Sequence, residues 1–129
     1  MGAQNCHEFE TYGPFTGSVS SQMIKNAGAK YVIIGHSENR FNGDDNIKIK
    51  KKIKAAIDQN LNIIYCVGEN YKQKKEKKTF KIIKNQIVSI IKKKIDPNKF
   101  ILAYEPVWSI GTGKIPKAED LKNIILYIK

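Results

Sequence analysis

The sequence is poor in cysteine and has no long hydrophobic run. Its two cysteines, Cys6 and Cys66, form no C-x-x-C pair and have no histidine at a ligand-like spacing, which argues against a disulfide framework and against a zinc site. This cysteine usage favours a reducing compartment, and we predict a cytoplasmic protein. No stretch approaches the roughly 18 apolar residues of a membrane-spanning helix, so no membrane partner is predicted.

Arginine is nearly absent as well. The net charge of +11 comes from 22 lysines and a single arginine, Arg40, against 12 acidic residues. A basic surface is the usual sign of nucleic-acid binding, but surfaces that contact phosphates or bases tend to use arginine for its fixed fork of donors. Lysine more commonly solubilises exposed helix faces. We therefore predict no nucleic-acid partner, and a lysine-rich nucleic-acid-binding module remains one alternative.

Three short apolar runs predict β-strands: Tyr31–Ile34, Asn62–Val67 and Phe100–Tyr104. They are rich in β-branched residues and show no alternation of apolar and polar positions, which is typical of parallel strands buried on both faces. Gly2–Asn5 is predicted to be the end of a further strand.

The segments between these runs have apolar residues at helical spacing. Amphipathic helices are predicted over Ile47–Ile57 and Phe80–Ile95, and the lysines of the first lie off its apolar stripe, on a solvated face. A short helix is capped by Ser20 and ended by Gly28, and another spans 116–128. Because strand and helix alternate at regular intervals, we predict an α/β fold of repeated βα units with a parallel sheet.

Polar and ionisable groups directly follow the predicted strands. In βα sheets and barrels, functional residues gather at this end of the strands. Four segments fit this position: Ala3–His7, Gly35–Glu38, Cys66–Glu69 and Ala103–Lys114.

These segments resemble the triosephosphate isomerase family. The motifs are Ala3-Gln4-Asn5, Phe15-Thr16-Gly17, Ile34-Gly35-His36-Ser37-Glu38, Cys66-Val67-Gly68-Glu69 and the long run from Ala103 to Lys114, in order and at nearly the family's spacing. The resemblance implies a partial (β/α)8 TIM barrel of about four consecutive βα units, a single domain over residues 1–129 that we expect to be truncated at both ends. It also implies the interconversion of dihydroxyacetone phosphate and D-glyceraldehyde 3-phosphate through an enediolate, in glycolysis and gluconeogenesis, with no cofactor and no metal.

The family's catalytic groups match residues at two of these strand ends. By resemblance, Glu105 is the carboxylate base that moves a proton between two substrate carbons, and His36 is the electrophile that polarises the carbonyl. Glu38 matches a third catalytic residue, an acid near the family's catalytic lysine. Ser37 matches a residue of the substrate site that holds the base while the site is open. Taken alone, Glu105 could be a surface carboxylate and His36 a packed residue, and Ser37 or Glu38 could simply begin a helix.

The segment Pro106–Pro116 matches the family's active-site lid. Gly111 is expected to offer its backbone N–H to the substrate phosphate at a close approach that the missing Cβ permits. Ile110 beside it is a second expected substrate contact. Thr16 lies at the tip of a loop that inserts into the partner subunit in this family, so a homodimer is implied. Without the resemblance, Phe15–Gly17 is an ordinary turn.

The sequence departs from the family pattern at three points. Asn39 stands where the family has the first of two arginines, which removes a supporting ion pair. The family's early strand with its catalytic lysine has no counterpart here, and neither have the last two strands with their phosphate-binding loops. A catalytically inactive half-barrel fragment is therefore a second alternative. Cys6 and His7 have no assigned role.

Overall fold

The computed structural model describes residues 1–9, 11–91 and 95–128. Four strands in these ranges form one sheet: β1 (Gly2–Ala3), β2 (Tyr31–Ile34), β3 (Asn62–Val67) and β4 (Phe100–Tyr104). The helices are α1 (Ser21–Asn26), α2 (Ser37–Phe41), α3 (Asn46–Asp58), α4 (Tyr71–Lys75), α5 (Thr79–Ile90) and α6 (Ala118–Ile128). One-turn 3₁₀ helices precede and follow β4, at Pro97–Lys99 and Val107–Ser109.

The strands are hydrogen-bonded in sequence order, β1-β2-β3-β4, and every pair is parallel. Val32 pairs with Ile63, and Ile63 pairs with Phe100. The predicted α/β fold of parallel βα units is confirmed, with the three main strands at their predicted positions. Because the strands are parallel, the segments that follow them lie along one edge of the sheet.

The predicted helix ends are correct at α1 and wrong at α5. Ser20 Oγ accepts a hydrogen bond from Met23 N at 3.2 Å, and Gly28, which follows the C-cap residue Ala27, has a φ of 88°. α5 ends at Ile90 instead of Ile95 because Ile91 takes an extended ψ of 99°; residues 92–94 lie outside the described ranges. α6 begins two residues after Pro116. The hydrophobic pattern does not indicate α2 and α4, since helices of five residues carry no full apolar stripe.

The helices pack against one face of the sheet. Val32 and Ile63 point to that face and are at most 1% exposed, in one core with apolar residues of α1, α3, α5 and α6. On the opposite face Ile101 is 48% exposed and Ile33 and Ile64 are half-buried. The expectation that the strands are buried on both faces is therefore wrong at Ile33, Ile64 and Ile101, because the described helices cover only the first face.

One lysine of α3 is buried, which contradicts the expectation of a wholly solvated lysine face. Lys52 is 5% exposed, and its Nζ lies 2.6 Å from Oδ2 of Asp44, itself 7% exposed. The same Nζ donates to Asn5 Oδ1 at 3.0 Å. These partners offset the cost of removing both charges from water, and they connect α3 to the loop after β1 and to the turn after α2.

The described part of the chain contains no helix that is both long and apolar enough to span a bilayer. Within the same ranges, no three His, Cys, Asp or Glu side chains converge as the ligands of a metal ion would.

Candidate active site

Glu105 lies at the carboxyl edge of the sheet, directly after β4. Its backbone N–H donates to Val67 O at 2.8 Å, which continues the pairing of β3 with β4. Gly68 permits this approach, since a Cβ at that position would lie 1.8 Å from Glu105 O. The side-chain amide of Gln86, on α5, accepts from Gly68 N at 2.9 Å and donates to Gly68 O at 3.0 Å. The backbone that carries the carboxylate is therefore fixed by β3 and α5.

The Glu105 carboxylate contacts the two residues at the start of α2. Ser37 Oγ donates to Oε1 at 2.9 Å and Ser37 N donates to Oε2 at 3.0 Å. His36 Nε2 lies 2.8 Å from Oε1. The Glu105 side chain is 16% exposed, so these contacts replace most of its water. The structure thus brings together the three residues that the family motifs assign to the base, the electrophile and the group that holds the base.

The backbone N–H of Glu38 favours the tautomer of a neutral His36 ring that carries its proton on Nε2. His36 is the N-cap of α2, and its Nδ1 accepts a hydrogen bond from Glu38 N at 3.4 Å. A nitrogen that accepts has no proton, so the neutral ring is protonated on Nε2. Nε2 is the atom that faces Glu105. The ring therefore offers an N–H donor beside a carboxylate, which is the arrangement that general acid–base chemistry at a carbonyl needs.

Trp108 fixes the start of the segment Pro106–Pro116. The indole is 8% exposed, and its Nε1 donates to Oε1 of Glu69 at 2.9 Å. Tyr104 Oη donates to the same carboxylate, 3.1 Å from each oxygen, and Glu69 is 1% exposed. Burial, together with the charge of Glu69, raises the pKa of Tyr104 well above its ordinary value, so the hydroxyl remains a donor. Strand β4 and the segment after it therefore share one buried carboxylate.

The middle of the same segment is exposed. Ile110 is 44% exposed, and Gly111 is exposed with a φ of 65°. A cleft of about 430 Å³ separates this segment from α2, and its lining is formed by Ser37, Glu38, Phe41, Asn42, Val107 and Ile110. Of the lining residues, Ser37 also contacts Glu105, so the cleft borders the cluster at the end of the sheet.

The family model of triosephosphate isomerase matches residues 1–129. The triosephosphate isomerases of Alkaliphilus metalliredigens and Mycoplasmopsis pulmonis are each 45% identical to the chain, and the matches cover 100% and 98% of it but 53% and 51% of those proteins. A crystal structure of triosephosphate isomerase from Bartonella henselae matches with a TM-score of 0.88 at 34% identity, over 98% of this chain and 50% of that one. The chain belongs to the triosephosphate isomerase family. It spans about half the length of the relatives that it matches.

Two residues that the triosephosphate isomerase motifs single out are exposed. The Glu38 side chain is 77% exposed, and its carboxylate is 3.8 Å from Nδ1 of His36. Thr16 is exposed in a turn, next to the parallel rings of Phe9 and Phe15, whose centroids are 4.6 Å apart. Their family roles, as an acid and as a contact between subunits, stay predictions.

Arg40 supports this site although no motif assigned it a role. Its Nε donates to Gly35 O at 2.8 Å, and its Nη2 donates to Tyr65 Oη at 3.2 Å and to Cys66 O at 3.3 Å. The guanidinium therefore joins the ends of β2 and β3. A single arginine among 22 lysines is the signal in the sequence that marks this position. The neighbouring Asn39, where the family has another arginine, accepts from Asn5 Nδ2 at 3.0 Å.

Nothing in the sequence distinguishes Glu69 from an ordinary carboxylate after a strand, apart from its place in a family motif. Its importance comes from Tyr104 and Trp108, which are 35 and 39 residues away and meet it only in the folded chain.

Proposed function

We propose that the chain carries the proton-transfer groups of a triose-phosphate isomerase, which interconverts dihydroxyacetone phosphate and D-glyceraldehyde 3-phosphate through an enediolate. The observation that supports this proposal is the 2.8 Å distance between His36 Nε2 and Glu105 Oε1 at the carboxyl edge of the sheet. One of these groups can remove a proton from carbon while the other donates to the adjacent oxygen.

Glu105 is the base in this proposal. Its carboxylate takes a proton from the carbon beside the carbonyl, and the electron pair of the broken C–H bond forms the double bond of the enediolate. The protonated Glu105 then returns the proton to the neighbouring carbon. Both carboxylate oxygens accept hydrogen bonds from Ser37 in the free protein, so the side chain must leave Ser37 before it reacts.

His36 is the electrophile. Its Nε2–H stabilises the negative charge that develops on the substrate oxygen, and the same nitrogen passes a proton between the two oxygens of the enediolate. Ser37, Ile110 and the backbone N–H of Gly111 are the proposed substrate contacts, the amide being suited to an anionic phosphate. Glu38 is the proposed further acid. None of these steps uses a cofactor or a metal.

We further propose that the site works as part of a larger, cytoplasmic homodimeric enzyme, with Thr16 at the contact between subunits. The chain spans about half of its relatives, and the exposed face of its sheet is apolar. These two observations favour a second candidate for residues 1–129 by themselves, an inactive half-barrel that acquires activity only when the rest of the barrel is supplied.

A chimera tests the role of Glu105, and residues 1–129 alone test the inactive half-barrel. Residues 1–129 replace the segment that they match in the relative from Alkaliphilus metalliredigens, and turnover of triose phosphates is measured in a coupled assay. Glu105→Gln should lower kcat at least about 100-fold with little change in KM, because the amide keeps the shape but cannot accept the proton. Glu76→Gln, an exposed carboxylate at the end of α4, is the matched control and should behave as the parent chimera.

Each candidate is contradicted by a different outcome. A Glu105→Gln chimera with the parent's kcat would show that Glu105 is not the base. Turnover by residues 1–129 alone, in the same assay, would exclude the inactive half-barrel and show that the rest of the barrel is not required.

A further inference from the structure

Helix α4 contacts the lid segment, residues 106–116, near both of its ends. At the start of the segment, Lys74 Nζ lies 3.5 Å from the centroid of the Trp108 ring system. Near its end, Lys114 Nζ lies 4.1 Å from the centroid of the Tyr71 ring. Both are cation–π contacts, and α4 provides the cation in the first and the ring in the second. Such contacts are strongest when the ammonium is partly removed from water.

The contact at Trp108 is reinforced from two sides. Lys74 is only 34% exposed in its side chain, and its Nζ also lies 3.7 Å from Oδ2 of Asp120 on α6. The indole N–H donates to the buried carboxylate of Glu69. A carboxylate that accepts from the ring N–H increases the electron density of the ring, and hence its attraction for the ammonium above it. Lys74 therefore joins the start of the lid segment to the helix that follows the segment.

Helix α4 is itself well fixed. Asn70 Oδ1 accepts from Gln73 N at 2.9 Å and Gln73 Oε1 accepts from Asn70 N at 2.9 Å, a reciprocal cap of the kind that stabilises helix starts. The residue before Glu69 is Gly68, which is bonded to Gln86 through both its N–H and its carbonyl. The two contacts to the lid thus originate from a short helix whose position is set by β3 and α5.

We propose that α4 holds the lid segment in its present position, with Lys74 and Tyr71 as positioning residues that set how often the segment leaves it. The description of the segment as a lid rests on the proposed function, whereas the contacts do not. Trp108 and Lys114 lie near the two ends of the segment, so a movement that displaces either end breaks a cation–π contact. Weakening these contacts should therefore raise the population of displaced conformations by about five-fold per contact.

The single tryptophan of the chain allows the displacement of the lid segment to be measured without substrate. Trp108 is the only fluorophore of its kind, so quenching by the neutral quencher acrylamide reports its accessibility in residues 1–129. Lys74→Met removes the ammonium and keeps the length of the side chain, and we expect quenching at least about two-fold stronger than in the parent. Lys74→Arg should restore the parent value, since a guanidinium also stacks on indole. Lys72→Met, an exposed lysine of the same helix, controls for the loss of one charge.

A second measurement covers the other end of the segment. Lys114→Met and Tyr71→Leu should each increase amide hydrogen exchange over residues 109–115 by about five-fold, while exchange in β2 and β3 stays as in the parent. The proposal is overturned if Lys74→Met matches Lys72→Met in quenching, or if Lys74→Arg behaves as Lys74→Met. It is equally overturned if Lys114→Met and Tyr71→Leu leave exchange over residues 109–115 as in the parent. It is also overturned if Trp108 of the parent is quenched as freely as indole in water. Because no assay here uses substrate, these results are independent of whether the chain is catalytic.

Discussion

Replacing Gly68 by alanine should displace Glu105, and the structure sets the size of the displacement. A Cβ on Gly68 would lie 1.8 Å from the carbonyl oxygen of Glu105 and 2.7 Å from its carbonyl carbon. Cβ atoms do not approach other heavy atoms below about 3.0 Å, so the oxygen must move by about 1.2 Å. The collision is with backbone and not with a flexible side chain, so the end of β3 and the start of the lid segment must separate. Gly68 has no positive φ, and the whole effect therefore comes from the collision.

This movement affects both the chemistry and the stability. A displacement of about 1 Å at a reacting group costs on the order of 100-fold in rate, and we expect that loss in kcat of the chimera. Overpacking of this kind also lowers the free energy of unfolding by about 1–3 kcal/mol, in part because the bond from Glu105 N to Val67 O, now 2.8 Å, is stretched.

The assay pairs turnover of the chimera with urea unfolding of residues 1–129. Gly28→Ala is the matched control: its φ of 88° makes alanine unfavourable by about 1 kcal/mol, but the nearest atom to a Cβ there is the terminal methyl of Met1, at 3.7 Å. It should lose stability and keep its turnover. A Gly68→Ala chimera with turnover within about two-fold of the parent would refute the argument that the end of β3 positions Glu105.

Three further predictions concern single groups. His36→Gln should slow turnover of the chimera at least about 10-fold, since the amide donates but does not pass a proton; unchanged kinetics would leave His36 a structural residue. Lys52→Met should lower the unfolding free energy by about 3–5 kcal/mol because it leaves Asp44 buried without its cation. The control Lys54→Met, in an exposed pair, should lower it by at most about 1 kcal/mol. Equal losses in urea unfolding would contradict the burial of Lys52. Burial raises the pKa of both thiols, Cys6 and Cys66, from 9.0 to about 11, so the folded state keeps protons that the unfolded state loses. The unfolding free energy should therefore fall as the pH rises from about 9 to about 11, and a flat profile would contradict this.

The sequence predicts the strands and the alternation with helices because these depend on patterns within a few residues. Ser20 and Gly28 mark α1 for the same reason, since a cap and a left-handed stop act on the adjacent turn. The sequence also predicts that His36 lies near Glu105, because both residues follow parallel strands and both lie in family motifs.

Other features depend on contacts between distant residues, and no local pattern indicates them. Lys52 is one lysine in a run of lysines on α3, and only the position of Asp44 and Asn5 in space makes it a buried residue. The apolar runs of β2 and β4 are compatible with burial on both faces, but which face is covered depends on where the helices pack.

The strand order has a consequence for how this chain is made. Within the described residues, each strand pairs only with its neighbours in the sequence. Paired residues are separated by one strand-to-strand connection, as in Gly2 and Tyr31, Tyr31 and Asn62, or Ile63 and Phe100. Each of these strand pairs can therefore form as soon as its second strand has been synthesised. The chain can therefore add one βα unit at a time as it leaves the ribosome, with short loops to close at each step. Glu105 follows β4, whereas His36 and Ser37 follow β2, so the candidate site forms only once β4 has docked on β3.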